Sequence, residues 1–468
     1  MLSGFVAGAL AGGALSYSVF HAFTWPLDDA VMLTLIRWSF ILWALALGCI
    51  YAGGLAAYRL LRNASPLHNA AVFASLYLLL ETALQFVTGH YYIGALAYSV
   101  DYLPLSMNLA SLGGDALVSF LIAFTSALIG ECIALPRARL PRVAAQGALL
   151  AAGIGAICII NTLYLQPRGA VRHVQVASIQ DGARGESAFA HDYDGMLSFP
   201  ALSKQLRNVA QNGSDLIIYP LAVANEVVYT GAAPANGYGN LKFVPRAALQ
   251  SWMQANAPTS STLVTWDITY SGGHYLQNYD FWRGGTLAAV YSKRDLYAFT
   301  EYTPTFAHFG FGPTPAPISP GNTGGVTPID GLFVSDLQCS EIHLASLARS
   351  DAQEADLFLN IGLEWIFPGD LGEQYSLEAA QYRAAENNIP GIRATIEGPS
   401  ALIDARGKIV ASLPFNEQSV LHGTLDIPES HQRTLYSFAG SYPLYAGVAV
   451  LLAAAVYRRK VRSPGTRG

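Results

Sequence analysis

The chain has 468 residues, of which 52% are hydrophobic and only 13% are charged. Soluble globular proteins carry roughly 25% charged residues, so much of this chain is expected to lie in a lipid bilayer. The formal net charge is −5 and no basic cluster interleaves with aromatic residues, which excludes nucleic acid as the expected partner.

Long uncharged runs fill the N-terminal third of the chain and return near the C-terminus. A bilayer core about 30 Å thick needs roughly 20 apolar residues per helix. This rule predicts six spans, at 2–23, 31–57, 69–87, 113–135, 143–165 and 441–457. The predicted domains are N-terminal transmembrane helices over 1–165, an extracytoplasmic domain over 166–436, and a C-terminal helix with a basic tail over 437–468.

Basic residues follow the second, fourth and sixth predicted spans. Short cytoplasmic loops carry an excess of Lys and Arg, so these clusters belong on one side of the membrane. All three share the cytoplasmic side if the N-terminus is cytoplasmic, which predicts a multi-pass plasma-membrane protein whose large central domain lies outside; in a bacterium this means the inner membrane and the periplasm. The clusters are Arg59 and Arg62, then Arg137, Arg139 and Arg142, and finally Arg458, Arg459, Lys460 and Arg462.

One cysteine stands apart from the others. Cys49, Cys132 and Cys158 fall in or at the end of predicted membrane helices, whereas Cys339 is alone in the central domain. A single cysteine in an exported domain carries either a reactive thiol or an inert buried one. The count alone favours the inert thiol.

In the central domain, short β-rich runs alternate with helical stretches, which indicates a layered α/β arrangement. Amphipathic helices are predicted at 197–212 and 374–388, and loops at 230–240 and 311–325, the second of which could act as a mobile lid. The last two strands are joined by E-G-P and predict a hairpin. The predicted strands are 173–179, 215–220, 261–266, 286–292, 331–337, 356–361, 391–396 and 400–405.

Two motifs carry residues suited to catalysis: Y-S-K-R-D-L-Y-A-F-T-E-Y-T-P at 291–304 and C-S-E-I at 339–342. They resemble the lysine and cysteine motifs of bacterial apolipoprotein N-acyltransferases, which are nitrilase-superfamily domains fused to a membrane bundle. The resemblance implies an α-helical membrane bundle plus an α/β nitrilase-type domain, a four-layer αββα sandwich. Further stretches agree in the same order, at 108–121, 173–180, 382–395, 398–409 and 434–443.

The resemblance implies a role for each polar residue of the two motifs. Cys339 would be the nucleophile, and Lys293 would stabilise the oxyanion and lower the thiol pKa. Glu301 matches a carboxylate that supports catalysis, and Glu341 matches the glutamate beside the nucleophile. The alternatives are a solvated surface lysine and acids that are merely exposed or ion-paired.

The chain departs from the family at the general base. The family places a glutamate after a strand ending in W-P-E, but here the strand reads D-L-I-I-Y-P-L-A-V-A-N-E, with Leu221 at the glutamate position. A leucine cannot accept a proton, so Glu226 is the candidate substitute. An alternative alignment would put Ser335 at the nucleophile position; Cys339 is preferred because C-S-E-I keeps the glutamate two places on.

The function implied by the resemblance is a membrane acyltransferase. It would move an acyl chain from a phospholipid, through a thioester on Cys339, to the amine of a lipoprotein or other exported protein. Two alternatives remain: a catalytically impaired relative that binds a lipidated or hydrophobic peptide, and a repurposed relative acting in conjugal transfer. The ten histidines lack ligand spacing and no nucleotide-binding glycine motif occurs, so no metal and no cofactor is predicted.

Overall fold

The computed structural model describes residues 30–87, 95–180, 199–220, 226–233, 242–297, 301–302, 318–362, 371–396 and 398–462. The chain divides into two compact units. The helical unit comprises Met1–Gln166 and Gln432–Gly468, and the sandwich unit comprises Pro167–His431.

The α-helices of the described residues belong to both units. In chain order they are α1 Ala30–Leu61, α2 Pro66–Val87, α3 Pro104–Ile133, α4 Leu140–Tyr164, α5 Phe199–Gln211, α6 Arg246–Asn256, α7 Ala345–Asp351, α8 Leu371–Asn387, α9 Leu435–Ala439 and α10 Tyr442–Arg462. Short 3-10 helices lie at Leu96–Val100, Arg137–Arg139 and Cys339–His343.

Four helices of the described part are long and apolar enough to cross a membrane: Ala44–Leu61, Pro66–Phe86, Pro104–Ile133 and Arg137–Tyr164. They correspond to the second to fifth predicted spans. The first predicted span, 2–23, lies outside the described residues. The sixth forms α10, which is not one of the four because its basic end leaves too short an apolar stretch. The predicted count of six is therefore not confirmed.

Helix α3 is interrupted at Gly113 and Gly114, where the backbone leaves the helical conformation. Gly114 has φ of +78°, and a Cβ there would lie 2.6 Å from the ring of Tyr436. The Ser441 hydroxyl donates a hydrogen bond of 2.9 Å to the Gly113 carbonyl. The two glycines thus allow α9 and the start of α10 to pack closely against α3.

The described strands of the sandwich unit form two mixed β-sheets. Its strands are β1 Val171–Gln180, β2 Leu216–Tyr219, β3 Glu226–Tyr229, β4 Lys242–Pro245, β5 Thr262–Ser271, β6 His274–Arg283, β7 Thr286–Ser292, β8 Val326–Ile329, β9 Leu332–Asp336, β10 Leu357–Gly362, β11 Gly391–Thr395, β12 Ala401–Ile403, β13 Ile409–Ser412 and β14 Ser419–Pro428. The first sheet runs β14-β1-β2-β5-β3-β4, with β6 on β5 and β7 on β6. The second runs β13-β12-β11-β10-β9-β8.

The two sheets pack face to face through one apolar core. Residues of both sheets form it, such as Val174 and Ile218 from the first and Leu359 and Ile392 from the second. Each fully buried aliphatic side chain of this kind contributes roughly 1.5–3 kcal/mol to stability. This interface fixes the position of one sheet against the other. Residues that follow strands of the two sheets can therefore contact each other.

Helices cover the outer faces of the sheets. Leu206 of α5 and Met253 of α6 pack against the outer face of the first sheet. Helix α8 lies against β11 and β12 of the second sheet. The predicted four-layer αββα arrangement is therefore confirmed, and so is the predicted hairpin, because β11 and β12 pair antiparallel.

Candidate active site

The predicted nucleophile and the predicted lysine come from facing sheets. Lys293 directly follows β7 of the first sheet, and Cys339 lies three residues beyond β9 of the second. The sheet interface brings these ends together. Lys293, Glu301, Cys339 and Glu341 are called the Cys–Lys cluster below.

Lys293 is fully buried and paired with Glu301. Its Nζ donates a hydrogen bond of 2.6 Å to Glu301 Oε1. Burial alone would lower the pKa of Lys293, but the negative charges of Glu301, Cys339 and Glu341 outweigh it and raise the pKa. Lys293 therefore stays an ammonium ion, which suits it to stabilise negative charge on a thiolate or an oxyanion.

Glu301 is held on both carboxylate oxygens. The second, Oε2, accepts a hydrogen bond of 2.7 Å from the Tyr297 backbone. The pKa of Tyr297 is raised by burial and by the charges of Cys339 and Glu301, so this tyrosine lies close to the Cys–Lys cluster. No role was predicted for Tyr297, although it lies inside the 291–304 motif.

Glu341 has a different set of partners. Its Oε1 accepts from the backbone amides of Arg294 and Asp295 at 2.8 and 2.9 Å. Its Oε2 accepts from the Gln338 amide at 2.8 Å and the Tyr291 hydroxyl at 2.6 Å. Burial raises the pKa of Glu341, and Lys293 and these hydrogen bonds oppose that rise. All four hydrogen bonds to its oxygens come from residues beside Lys293 or Cys339. Glu341 therefore joins these two segments, and its occupied oxygens make it poorly suited to act as a base.

Cys339 begins a 3-10 turn in a left-handed backbone conformation. Its φ is +48°, which a non-glycine residue adopts at a cost of roughly 1–3 kcal/mol. Gln338 precedes it as the N-cap and forms a capping box with Glu341. The side chain of Cys339 is partly exposed, as a nucleophile that meets a substrate must be.

The alternative nucleophile is placed elsewhere. Ser335 lies within β9, fully buried, and its Oγ donates a hydrogen bond of 3.0 Å to Asp351 Oδ2. Asp351 also receives a bidentate ion pair from Arg294, at 3.0 and 2.6 Å. Ser335 therefore belongs to a buried polar network, and the geometry favours Cys339.

The predicted base is described only in its backbone. Leu221 lies outside the described residues, whereas Glu226 begins β3. Strands β2 and β3 both line the edge of β5 opposite β6: Tyr219 pairs with Thr265, and Val227 pairs with Ile268. The role of Glu226 as a proton acceptor stays a prediction.

The predicted lid at 311–325 lies partly outside the described residues, which resume at Ile318. From there the chain is attached to the Cys–Lys cluster. The Ile318 amide donates to the Glu301 carbonyl at 3.1 Å, and the Gly321 amide donates to the Lys293 carbonyl at 2.7 Å. Among the described residues, no group of three or more His, Cys, Asp or Glu is arranged to hold a metal ion.

Comparison with known proteins places this geometry in a family. The carbon–nitrogen hydrolase family model matches residues 196–433, about half of the chain. The apolipoprotein N-acyltransferase of Pseudomonas putida is 29% identical over 445 residues, covering 90% of this chain and 80% of that protein. That of Pseudomonas syringae pv. tomato is 27% identical over 412 residues, covering 84% and 74%.

A solved nitrilase-superfamily amidase from Nesterenkonia AN1 is similar at 18% identity and a TM-score of 0.41, covering 60% of this chain and 99% of that one. The matched family segment contains every residue of the Cys–Lys cluster. The predicted resemblance is confirmed by the apolipoprotein N-acyltransferase relatives and the family match. The chain therefore belongs to the carbon–nitrogen hydrolase family, with a nitrilase-type domain joined to apolar membrane helices.

Proposed function

We propose that this protein is a membrane N-acyltransferase that carries an acyl chain as a thioester on Cys339. The observation that carries the proposal is the buried ammonium of Lys293, which is held by Glu301 and has Cys339 among the groups that raise its pKa. An ammonium fixed beside a thiol favours the thiolate and stabilises an oxyanion formed on a carbonyl that the thiolate attacks. The relatives named apolipoprotein N-acyltransferase support an acyl group as the cargo.

In the first half-reaction, the Cys339 thiol gives its proton to a base and attacks the ester carbonyl of a phospholipid. Lys293 stabilises the resulting oxyanion. The intermediate collapses as the ester C–O bond breaks, and the departing lysophospholipid oxygen takes the proton back from the base. The product is an acyl-thioester on Cys339.

In the second half-reaction, an amine attacks the thioester carbonyl and forms an amide bond. The C–S bond breaks, the amine loses one proton to the base, and the thiolate is regenerated. We propose the N-terminal amine of a lipoprotein as the acceptor. The four apolar helices support the proposal that both substrates carry lipid chains, because a membrane-embedded enzyme can receive such substrates from the bilayer.

Glu226 is the proposed base in place of the glutamate that Leu221 replaces. Glu226 is the first carboxylate-bearing residue after β2 in the chain. It begins β3, which pairs with β5 as β2 does, with Val227 opposite Ile268. This position next to the same strand supports Glu226 as the substitute base.

A matched pair of variants tests this assignment. Glu226→Gln keeps the side-chain shape but cannot take a proton, so thioester formation should fall by roughly 10²–10⁴-fold. Glu417→Gln makes the same change at an exposed residue and should leave the rate unaltered. An unaltered rate in Glu226→Gln would remove Glu226 as the base and leave Glu301 as the remaining carboxylate beside Lys293.

We also propose that the sandwich unit faces the periplasm, since the three basic clusters of the sequence then share the cytoplasmic side. The test of the whole proposal is acylation in membranes from labelled phospholipid. Hydroxylamine-sensitive label on the protein, absent in Cys339→Ser, is the expected result.

The absence of a glutamate at Leu221 favours one competing function, a catalytically impaired protein that binds a lipidated or hydrophobic peptide. The same experiment separates the two. Absence of label from every phospholipid tested, combined with retention of a lipidated peptide on the purified protein, would replace the acyltransferase by the binding protein. Label that passes to an exported protein other than a lipoprotein would instead indicate the repurposed relative of conjugal transfer.

A further inference from the structure

One buried side chain donates to two carbonyls that flank the backbone rotations of Gln338 and Cys339, and the first of them, that of Leu337, also accepts a hydrogen bond of 3.3 Å from the Tyr279 hydroxyl. Asn360, in β10, donates through Nδ2 to the Leu337 carbonyl at 2.5 Å and to the Cys339 carbonyl at 3.2 Å. Asn360 is 1% exposed, so water does not compete for these bonds. The two carbonyls bracket the bond rotations that give Cys339 its left-handed conformation.

The orientation of this amide is fixed from behind. Arg393 of β11 lies directly opposite Asn360 in the sheet, and its guanidinium donates to Asn360 Oδ1 at 2.5 Å. A guanidinium can only donate, so the amide oxygen must face Arg393 and the NH2 group must face the two carbonyls. Arg393 is itself fully buried.

We infer that Asn360, oriented by Arg393, is a positioning residue that keeps Cys339 in its left-handed conformation and so keeps its thiol beside Lys293. This inference rests on the proposed role of Cys339 as the nucleophile. Neither Asn360 nor Arg393 is expected to touch a substrate. They act through the backbone that carries the thiol.

The physical reason is the cost of the conformation. A cysteine with φ of +48° is strained, and a strained residue persists only when its surroundings hold it. If the hydrogen bonds from Asn360 to the two carbonyls are lost, φ of Cys339 can relax to a negative value. The thiol then moves away from the Lys293 ammonium. The thiol pKa then rises, and less thiolate is present at neutral pH.

The informative variant is Asn360→Asp, assayed in the full-length protein with Cys49, Cys132 and Cys158 replaced by serine. A carboxylate still pairs with Arg393 but cannot donate to the Leu337 and Cys339 carbonyls. The contact with Arg393 is thereby kept while the hydrogen bonds to the two carbonyls are lost. Asn387→Asp is the matched control, because Asn387 is equally buried and donates to the Arg383 carbonyl at 2.9 Å.

The measurement is the rate of Cys339 alkylation by iodoacetamide as a function of pH. We expect Asn360→Asp to lower the alkylation rate at pH 7 about tenfold and to raise the midpoint of its pH dependence by about one unit. The two changes agree, because a thiol pKa one unit higher leaves about one tenth of the thiolate at that pH. Asn387→Asp should leave both unchanged. Arg393→Lys retains a donor for the amide oxygen and should recover part of the rate lost in Arg393→Met.

An unchanged pH midpoint in Asn360→Asp, in protein that still unfolds cooperatively, would overturn the inference. Equal changes in Asn387→Asp would also overturn it, because the effect would then be general destabilisation. Alkylation needs no acyl donor, so failure of the proposed acyltransferase is seen separately, as absence of an acyl-thioester on a cysteine that still alkylates normally.

Discussion

Two groups of buried carboxylates in the described part of the sandwich unit each surround one cation, and their carboxylates differ in the donors that reach them. One is the Cys–Lys cluster between the sheets. The other lies on the outer face of the first sheet beside α6. It consists of Asp267 and Asp280, called the outer acid pair below, and the cation Arg246. Both Asp residues are fully buried.

The outer acid pair has few donors. Arg246 forms an ion pair with Asp280. Asp267 accepts a hydrogen bond of 2.9 Å from Thr265 Oγ1. Burial raises the pKa of both acids, and the charge of Asp280 raises that of Asp267 further. The pKa of Asp267 is thus raised further above its ordinary value than that of Asp280.

The Cys–Lys cluster differs because its carboxylates are supplied with donors. Four hydrogen bonds reach Glu341, and Lys293 and a backbone amide reach Glu301. A buried acid with enough donors can stay charged, and a charged acid favours the ammonium form of Lys293. Buried charge alone thus does not mark a reactive site; a nucleophile beside a stabilised cation does.

Among substitutions in the Cys–Lys cluster and the outer acid pair, the largest expected effect is at the cation Lys293. Lys293→Met keeps the length of the side chain but removes the charge that stabilises thiolate and oxyanion. The initial rate of acyl-thioester formation should fall by roughly 10²–10³-fold, as for loss of an oxyanion donor. Lys204→Met, at an exposed lysine of α5, is the control. A fall of less than threefold would mean that the buried ammonium is structural.

A second substitution tests the donor set. Glu341→Gln places an NH2 group against two of four donors, so two buried donors lose their acceptor. Each loss costs about 1–3 kcal/mol, and the unfolding free energy of the sandwich unit should drop by about 2–6 kcal/mol. Denaturant unfolding measures it, against Glu417→Gln with an expected change below about 0.5 kcal/mol. Equal stability in the two variants would show that the four hydrogen bonds do not hold the cluster.

The outer acid pair predicts a pH effect without a rate effect. Because the pKa of Asp267 is raised in the folded protein, its stabilising contribution is complete below the unfolded value of 3.8 and is lost as pH rises toward the folded value. Asp267→Asn should therefore lose less stability than wild type between pH 4 and 7, with an unaltered thioester rate. Parallel stability curves for the two proteins would contradict the raised pKa of Asp267.

The last prediction concerns acid stability and a neutral residue among cations. Burial and the charges of Arg393 and Arg383 lower the pKa of His343 to about 3. The unfolded chain, with a value of 6.5, then binds more protons, so wild-type stability should fall as pH drops from 6.5 toward 3. His343→Gln should flatten this fall in thermal unfolding scans. A variant that loses stability as steeply as wild type would place the acid sensitivity elsewhere.

Much of the sandwich unit could be predicted from the sequence, because apolar runs such as 356–361 are buried on both faces and stand out. Strand β6 could not be predicted, since its sequence H-Y-L-Q-N-Y-D-F-W-R mixes polar and aromatic residues that only the completed sheet buries. Strand β14 escaped for the opposite reason: its half-exposed residues resemble a surface segment.

The candidate site was predictable where chemistry follows a motif. Cys339, Lys293, Glu301 and Glu341 carry the motif residues, and three of them meet in the structure as charges acting on Lys293. Asn360 and Arg393 gave no such signal. Their importance lies in the pairing of β10 with β11 and in the left-handed turn at Cys339, which single-sequence patterns do not report.

The most direct test of the central claim is the mass of the peptide containing Cys339 after incubation in membranes with a single defined phospholipid. The account predicts an adduct equal to that lipid's acyl chain, removed by hydroxylamine, whose mass changes when a phospholipid with a different chain is supplied. An unmodified Cys339 with every donor, or an adduct on another residue that survives Cys339→Ser, would contradict it.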